Sequence, residues 1–169
     1  VDDRANHLDA VASADTAGRF YWVSLRGYPA NINNLHTGAL NAATVSAIKR
    51  VYGDFNIPTA GWLIMDACVN KAGNLLAYAN ARFDFVNNTC GGLPCESTIG
   101  LAARTNDTTF NKLPSTDSLF ALVNDQQYLV YAPQLSDDNL RLYRALAGPR
   151  ARLPLGGGPP ARGGLHPGA

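Results

Sequence analysis

Asp66 and the three cysteines are the side chains best placed, by type and spacing, to do chemistry in this chain. Asp66 interrupts the otherwise apolar run Trp62–Val69. A carboxyl group among apolar neighbours loses hydration, and its pKa rises toward the range of a general acid or base. Arg82 is the cation that would serve beside it in a secreted enzyme. A structural role outweighs the catalytic one: Asp66 accepts hydrogen bonds from a loop, or pairs with Arg82 or Arg104. Cys68, Cys90 and Cys95 make an odd count. The spacing Cys90-Gly-Gly-Leu-Pro-Cys95 can close as a small disulfide loop, which leaves Cys68 a buried free thiol in a strand. Two other arrangements stay open: Cys68 tied to Cys90 or Cys95, and three reduced thiols in a cytosolic protein.

Other candidates carry less. His7, His36 and His166 sit in unrelated segments, with no acid or nucleophile at a telling spacing, and are read as ordinary surface or loop residues. Their distance from the cysteines, and the lack of a paired Cys-x-x-Cys, argue against zinc. Ser24 and Ser97 lack a Gly-x-Ser-x-Gly frame, and the glycines at 156–158 lack the Lys-Ser/Thr of a phosphate loop. Asn87-Asn-Thr89 and Asn106-Asp-Thr108 match the N-glycosylation pattern, which matters only in a glycosylating host. No catalytic, cofactor-binding or metal residue is assigned, and no cofactor is implied.

The elements that must position these residues follow from pattern. At 169 residues the chain can bury a core as one domain. Its apolar fraction is 46%, within the globular range, while charged residues reach only 16% and Glu96 is the single Glu. Such a surface, rich in Ala, Asn, Thr, Ser and Gly, suits a secreted protein of sheets and loops. A net charge of +1 gives no basic field for nucleic acid. No apolar run approaches the roughly 20 residues needed to span a bilayer. With no signal peptide and no initiator Met, Val1 is expected to begin a processed or trimmed chain.

An α+β domain over residues 1–147 is predicted, an N-terminal helix packed on an antiparallel sheet. The helix covers residues 2–25: Asp2 and Asp3 suit its start, Leu8 and Val11 lie on its narrow apolar stripe, and Phe20, Tyr21 and Trp22 broaden it. Leu8, Val11, Phe20, Tyr21 and Trp22 are therefore candidate subunit contacts. Gly27-Tyr28-Pro29 ends the helix. A short second helix covers 42–52, capped by Asn41. Two strands follow, Trp62–Val69 and 75–85, joined by a turn at 70–74. In the second, Leu75, Ala77, Ala79 and Ala81 face one way, and Tyr78, Asn80 and Arg82 the other. The alanines leave room for the N-terminal helix. Residues 90–114 read as irregular, with a turn of helix at 99–104. Strands at 118–124 and 127–131 precede a C-terminal helix at 137–147, capped by Ser136. From 148 to 169 the composition turns to Gly and Pro, and this tail is expected to be disordered unless a neighbouring subunit orders it.

The run Phe20-Tyr21-Trp22, then Gly27-Tyr28-Pro29-Ala30-Asn31, then Leu35, resembles the pattern of type IV pilins and pseudopilins that lack their hydrophobic N-terminal segment. The family's processing site and its apolar segment with a Glu are absent here. The resemblance implies an extracellular, non-catalytic filament subunit that packs by its helix against copies of itself and works by adhesion, motility or DNA uptake. Two other classes remain beside it. One is an extracellular or periplasmic small-ligand-binding domain with a pocket beside Asp66 and Trp62. The other is a secreted enzyme using Asp66 with Arg82.

Overall fold

The computed structural model describes residues 13–24, 30, 33–41, 44–84, 86–124 and 128–149. In chain order its elements are β1 (Ser13–Ala14), β2 (Arg19–Val23), β3 (Leu35–Asn41), β4 (Thr44–Arg50), β5 (Trp62–Val69), β6 (Leu75–Arg82), β7 (Glu96–Asn106), β8 (Thr109–Lys112), α1 (Thr116–Asn124), β9 (Tyr128–Leu135) and β10 (Leu142–Pro149). Every strand pairing is antiparallel. The strands form one sheet ordered β1-β2-β3-β4, a second ordered β5-β6-β7-β8, and the β9–β10 hairpin.

This architecture is mostly β and overturns the α+β expectation. Residues 13–23 of the expected first helix form a hairpin. Asp15 Oδ1 accepts the N–H groups of Ala17 and Arg19 to close the turn, and Gly18 takes φ 76° there. The aromatic and β-branched run Phe20-Tyr21-Trp22-Val23 suits a strand once a partner exists, and β3 supplies it with Tyr21 opposite Thr37. Residues 44–52 of the expected helix at 42–52 are β4 and its exit, because Thr44, Val45, Ser46, Lys49 and Arg50 pair with β3. The expected helical turn at 99–104 lies inside β7, which matches β6 residue for residue from Leu75↔Ala103 to Arg82↔Glu96. Conversely, the strand expected at 118–124 is α1. Its i, i+3 pair Phe120 and Val123 packs inward beside Ala79, Ile99 and Val130.

The C-terminal helix expected at 137–147 is a hairpin loop followed by β10. Ser136, read as the helix cap, ties the loop instead, together with Asp138. Asp138 Oδ1 accepts from Leu140 N and from the Ser136 hydroxyl, and Ser136 Oγ accepts from Arg141 N. Short polar side chains serve turns and caps by the same local hydrogen bonds, so sequence alone does not separate the two. The expected strand Trp62–Val69 is β5, the one expected at 75–85 is β6 as far as Arg82, and the one expected at 127–131 begins β9 at Tyr128. Gly148 and Pro149 belong to β10; the expectation for the rest of the tail, 150–169, lies outside the described residues.

The second sheet is covered on both faces. One face of β5–β7, with Ile64, Ala67, Val69, Leu76, Tyr78 and Ala102, joins Tyr21, Val23, Leu35, Val51, Phe55 and Phe110 in the main core. The other face holds Ala77, Ala79 and Ala81, fully buried. On this face β9 crosses β5, β6 and β7, where an N-terminal helix was expected. Val130 sits directly on Ala79 and Ile99. Small side chains let the backbone of β9 approach closely, and Ser97 Oγ accepts the Val130 N–H at 2.7 Å.

β8 pairs with β7 only from Ala102 onward, and α1 serves the rest of that edge with side chains. Thr116 Oγ1 donates to Leu101 O, and the Asn124 amide both accepts from Ile99 N at 2.9 Å and donates to Ile99 O at 3.0 Å. Asn124 thus stands in for a strand peptide. Asn124→Ala leaves a buried N–H and C=O of Ile99 without these partners, and we expect a loss of about 1–3 kcal/mol. Urea unfolding measures it; an unchanged midpoint would show that the edge does not need this amide.

Candidate functional site

On the main-core side of β6 and β7, alternation brings Tyr78 and Asn80 opposite Gly100 and Thr98. Gly100 is required there: a Cβ at that position would overlap the Tyr78 hydroxyl and stand 2.7 Å from the Thr116 methyl. Residues 54–58 run past this face, α1 bounds it on the other side, and a recess of about 380 Å³ remains between them. Phe55 and Tyr78 form an aromatic wall, with ring centroids 5.3 Å apart. Thr98, Ile99, Thr116 and Asn124 line the side toward α1.

Two buried amides mark this recess. Asn80 Nδ2 donates to Phe55 O at 2.8 Å, and Asn56 Nδ2 donates to Gly53 O at 3.4 Å. A carbonyl only accepts, so each amide must turn its nitrogen to the main chain and its oxygen away. Both Oδ1 atoms are buried and have no hydrogen-bond partner among the described residues. At the rim, Lys112 holds two carboxylates: its Nζ pairs with Asp117 at 2.6 Å, and its N–H donates to Asp54. The Tyr78 hydroxyl is pushed well above the usual tyrosine range, by burial first and then by the charges of Asp117 and Asp54. The electrostatic character of the recess is therefore acceptor-rich and negative.

The residues singled out from sequence lie elsewhere. A β-bulge at Met65 shifts the alternation of β5. Ile64 lies across from Asn80, while Asp66 lies across from Ala79 on the opposite face. Trp62 and Asp66 thereby lie on opposite faces of β5. Asp66 Oδ2 accepts the N–H of Ala132 in β9 at 3.0 Å. Burial raises its pKa, and the Ala132 hydrogen bond partly offsets that. Neither expected arginine reaches it. Arg82 makes a double hydrogen bond to Glu96 Oε1, directly across the β6–β7 ladder. Arg104 pairs with the buried Asp15 at 3.7 Å and donates to the Tyr21 hydroxyl.

Tyr21 and Trp22, expected as subunit contacts on a helix, are buried in β2 at 1% and 7% exposure, and Phe20 is half-buried. Tyr21 meets Phe110 edge-on and Trp22 stacks on His36. Burial, then the Asp15 charge, pushes the Tyr21 hydroxyl up to about 12. Leu8 and Val11 lie outside the described residues, as do His7 and His166. Cys90 and Cys95 form a disulfide with Cα atoms 5.4 Å apart, and Cys68 is a buried free thiol. Among the described residues no group of three or more His, Cys, Asp or Glu could hold a metal ion, and no helix is long and apolar enough to cross a membrane.

No protein-family model, no curated protein and no solved structure matches this chain. The site therefore rests on its own geometry. Sequence reading missed Asn56, Tyr78 and Asn80. The available signal was Asn80, a polar residue in the alternating strand, which was assigned to the outward face. That face is the main core.

Asp66 sets a pH dependence. Its folded pKa is raised above the ordinary 3.8, so the folded state holds the proton more tightly than the unfolded state. Stability must then fall as pH rises from the ordinary carboxyl value through the raised one. We expect the stability of Asp66→Asn relative to the native protein to increase across that window and level off above it. Urea unfolding from pH 3 to pH 7 measures the difference; a gap independent of pH would show that Asp66 is not desolvated.

Proposed function

We propose that this chain is a non-catalytic, extracytoplasmic binding domain that takes a small polar molecule into the recess of Phe55, Tyr78, Asn80 and Thr116. The observation that carries this reading is the pair of buried, unpaired acceptors, Asn56 Oδ1 and Asn80 Oδ1, on residues lining one recess. Buried polar groups are nearly always hydrogen-bonded, because an unmade bond costs about 1–3 kcal/mol. Two such groups at one recess mark a place where a partner from outside completes the set. At about 380 Å³ the recess is within the range of small-molecule sites. The Cys90–Cys95 disulfide supports an oxidising compartment.

The enzyme reading loses its constellation, since Asp66 lies under β9 and Arg82 is held by Glu96. The described lining of the recess includes no His or Cys to act as base or nucleophile. The filament reading loses the helix it rested on, because β2 occupies Phe20, Tyr21 and Trp22. Assembly with copies of itself keeps one specific observation. Leu119 and Leu122 on α1 are 62% and 83% exposed, and Leu140, Tyr143 and Leu146 of the C-terminal hairpin are also exposed. Exposed large apolar side chains are what a subunit contact would cover.

A thermal-shift screen of small organic cations, anions and neutral polyols tests the binding reading, with Thr98→Trp as a variant that fills the recess. At ligand concentrations 100-fold above Kd, at least one class should raise the Tm by about 5–10 °C in the native protein, and not in the variant. No shift from any class, or a shift retained in Thr98→Trp, would remove the reading. For assembly, sedimentation velocity over rising concentration should show self-association that Leu122→Glu weakens at least several-fold. A native protein that stays monomeric throughout would end that idea.

A further inference from the structure

We propose that the recess selects a small organic cation carrying N–H donors, of the primary ammonium or guanidinium class. This rests on the binding reading above and adds the chemistry of the ligand. The argument is one of hydrogen-bond complementarity. One N–H of each of the Asn56, Asn80 and Asn124 amides donates to a main-chain carbonyl, at Gly53, Phe55 and Ile99. The hydroxyl of Thr116 likewise donates to Leu101 O. The atoms of these amides with no partner at all are oxygens, Asn56 Oδ1 and Asn80 Oδ1, both on residues at least nine-tenths buried. At those two oxygens an anion or a pure acceptor would meet lone pairs with lone pairs. A donor meets them productively.

Charge points the same way. Asp54 and Asp117 bring two carboxylates to the recess, against the single cation of Lys112. Lys112 is held by Asp117 through Nζ and by Asp54 through its main-chain N–H. The described lining therefore keeps one net negative charge with its only cation engaged. A ligand cation would supply the missing positive charge, and its N–H groups would supply the missing donors. Bonds from a charged donor are about twice as strong as neutral ones. The faces of Phe55 and Tyr78 add a surface on which a cation or its alkyl stem can rest. A bare monatomic cation fits less well. It would leave most of about 380 Å³ unfilled, and the aromatic wall offers it no ligand atoms.

The test uses the full chain and five probes: n-butylammonium, methylguanidinium, tetramethylammonium, n-butyrate and glycerol, each titrated by calorimetry with NMR mapping. Tetramethylammonium carries the charge without an N–H donor, so it separates hydrogen bonding from charge alone. We expect n-butylammonium or methylguanidinium to bind with shifts at Tyr78, Asn80 and Thr98, and at least tenfold more tightly than the other three. Asn80→Leu should weaken that binding at least tenfold. Because Asn80→Leu also removes the bond to Phe55 O and can unfold the chain, two further variants carry the test. Asp117→Asn, on the exposed rim, should weaken the cation two- to fivefold. Asn56→Asp, whose present amide bond is long, should tighten it severalfold. Preferential binding of butyrate or glycerol in the recess would overturn the cation assignment and leave the binding reading standing. Equal binding of tetramethylammonium would also overturn it, by showing that the two amide oxygens do not select. No binding by any probe, joined to an empty screen, would overturn both.

Discussion

The burial of β6 on both faces is the constraint from which the remaining structure follows. From Leu76 to Ala81 no side chain is more than 3% exposed. A strand enclosed in this way needs a layer above and a layer below. The first sheet and the segment around Phe55 supply one, and the β9–β10 hairpin supplies the other. The two faces are unlike. Alanines on one side admit the backbone of β9 closely, while Leu76, Tyr78 and Asn80 on the other need larger partners and a hydrogen bond. Asn80 is the polar residue in this enclosed strand, and its amide cannot satisfy both of its ends from Phe55 alone. The recess exists because the layer over that end is a loop and a helix edge rather than a continued sheet.

The first sheet is fastened to the second by buried charge. Asp15 closes the β1–β2 turn with one carboxylate oxygen and faces the Tyr21 hydroxyl and Arg104 with the other. Arg104 comes from β7, donates to Gly73 O, and lies over the ring of Phe110 at 4.9 Å. A buried pair of this kind adds little net stability against an apolar replacement, yet loss of one partner leaves a desolvated charge. The pair links the β1–β2 turn of the first sheet to β7 of the second. Gly73 belongs to the same device, since a Cβ there would overlap the Asp15 carboxylate.

These two features place the recess and Asp66 on opposite sides of the central sheet, and they account for their different characters. Asp66 is a half-buried carboxylate with a main-chain donor from β9, which is a fastening for the hairpin. The amides of Asn56 and Asn80 are held from behind by main-chain carbonyls and are left with unpaired oxygens. Asp66 finds its partner within the chain, whereas the two amide oxygens at the recess do not. That distinction, rather than the rarity of a residue type in its segment, separates the two places.

The sequence by itself determined the local facts that depend on a residue and its near neighbours. The alternation of Leu75, Ala77, Ala79 and Ala81 against Tyr78 and Asn80 was legible, as were β5 and the turn before β6. The short spacing of Cys90 and Cys95 made their disulfide one of the open pairings. Tertiary structure decided the rest. Residues 44–50 contain ordinary helix formers, yet pairing with β3 makes them a strand, because strand preference is mainly a preference for cross-strand partners. Ser136 and Asp138 have the chemistry of a helix start and of a hairpin loop alike, and only the docking of β9 on the alanine face selects the loop. The recess was illegible for the same reason. Phe55, Asn80 and Thr116 are far apart in the chain, and whether an amide oxygen is satisfied depends on what folds over it.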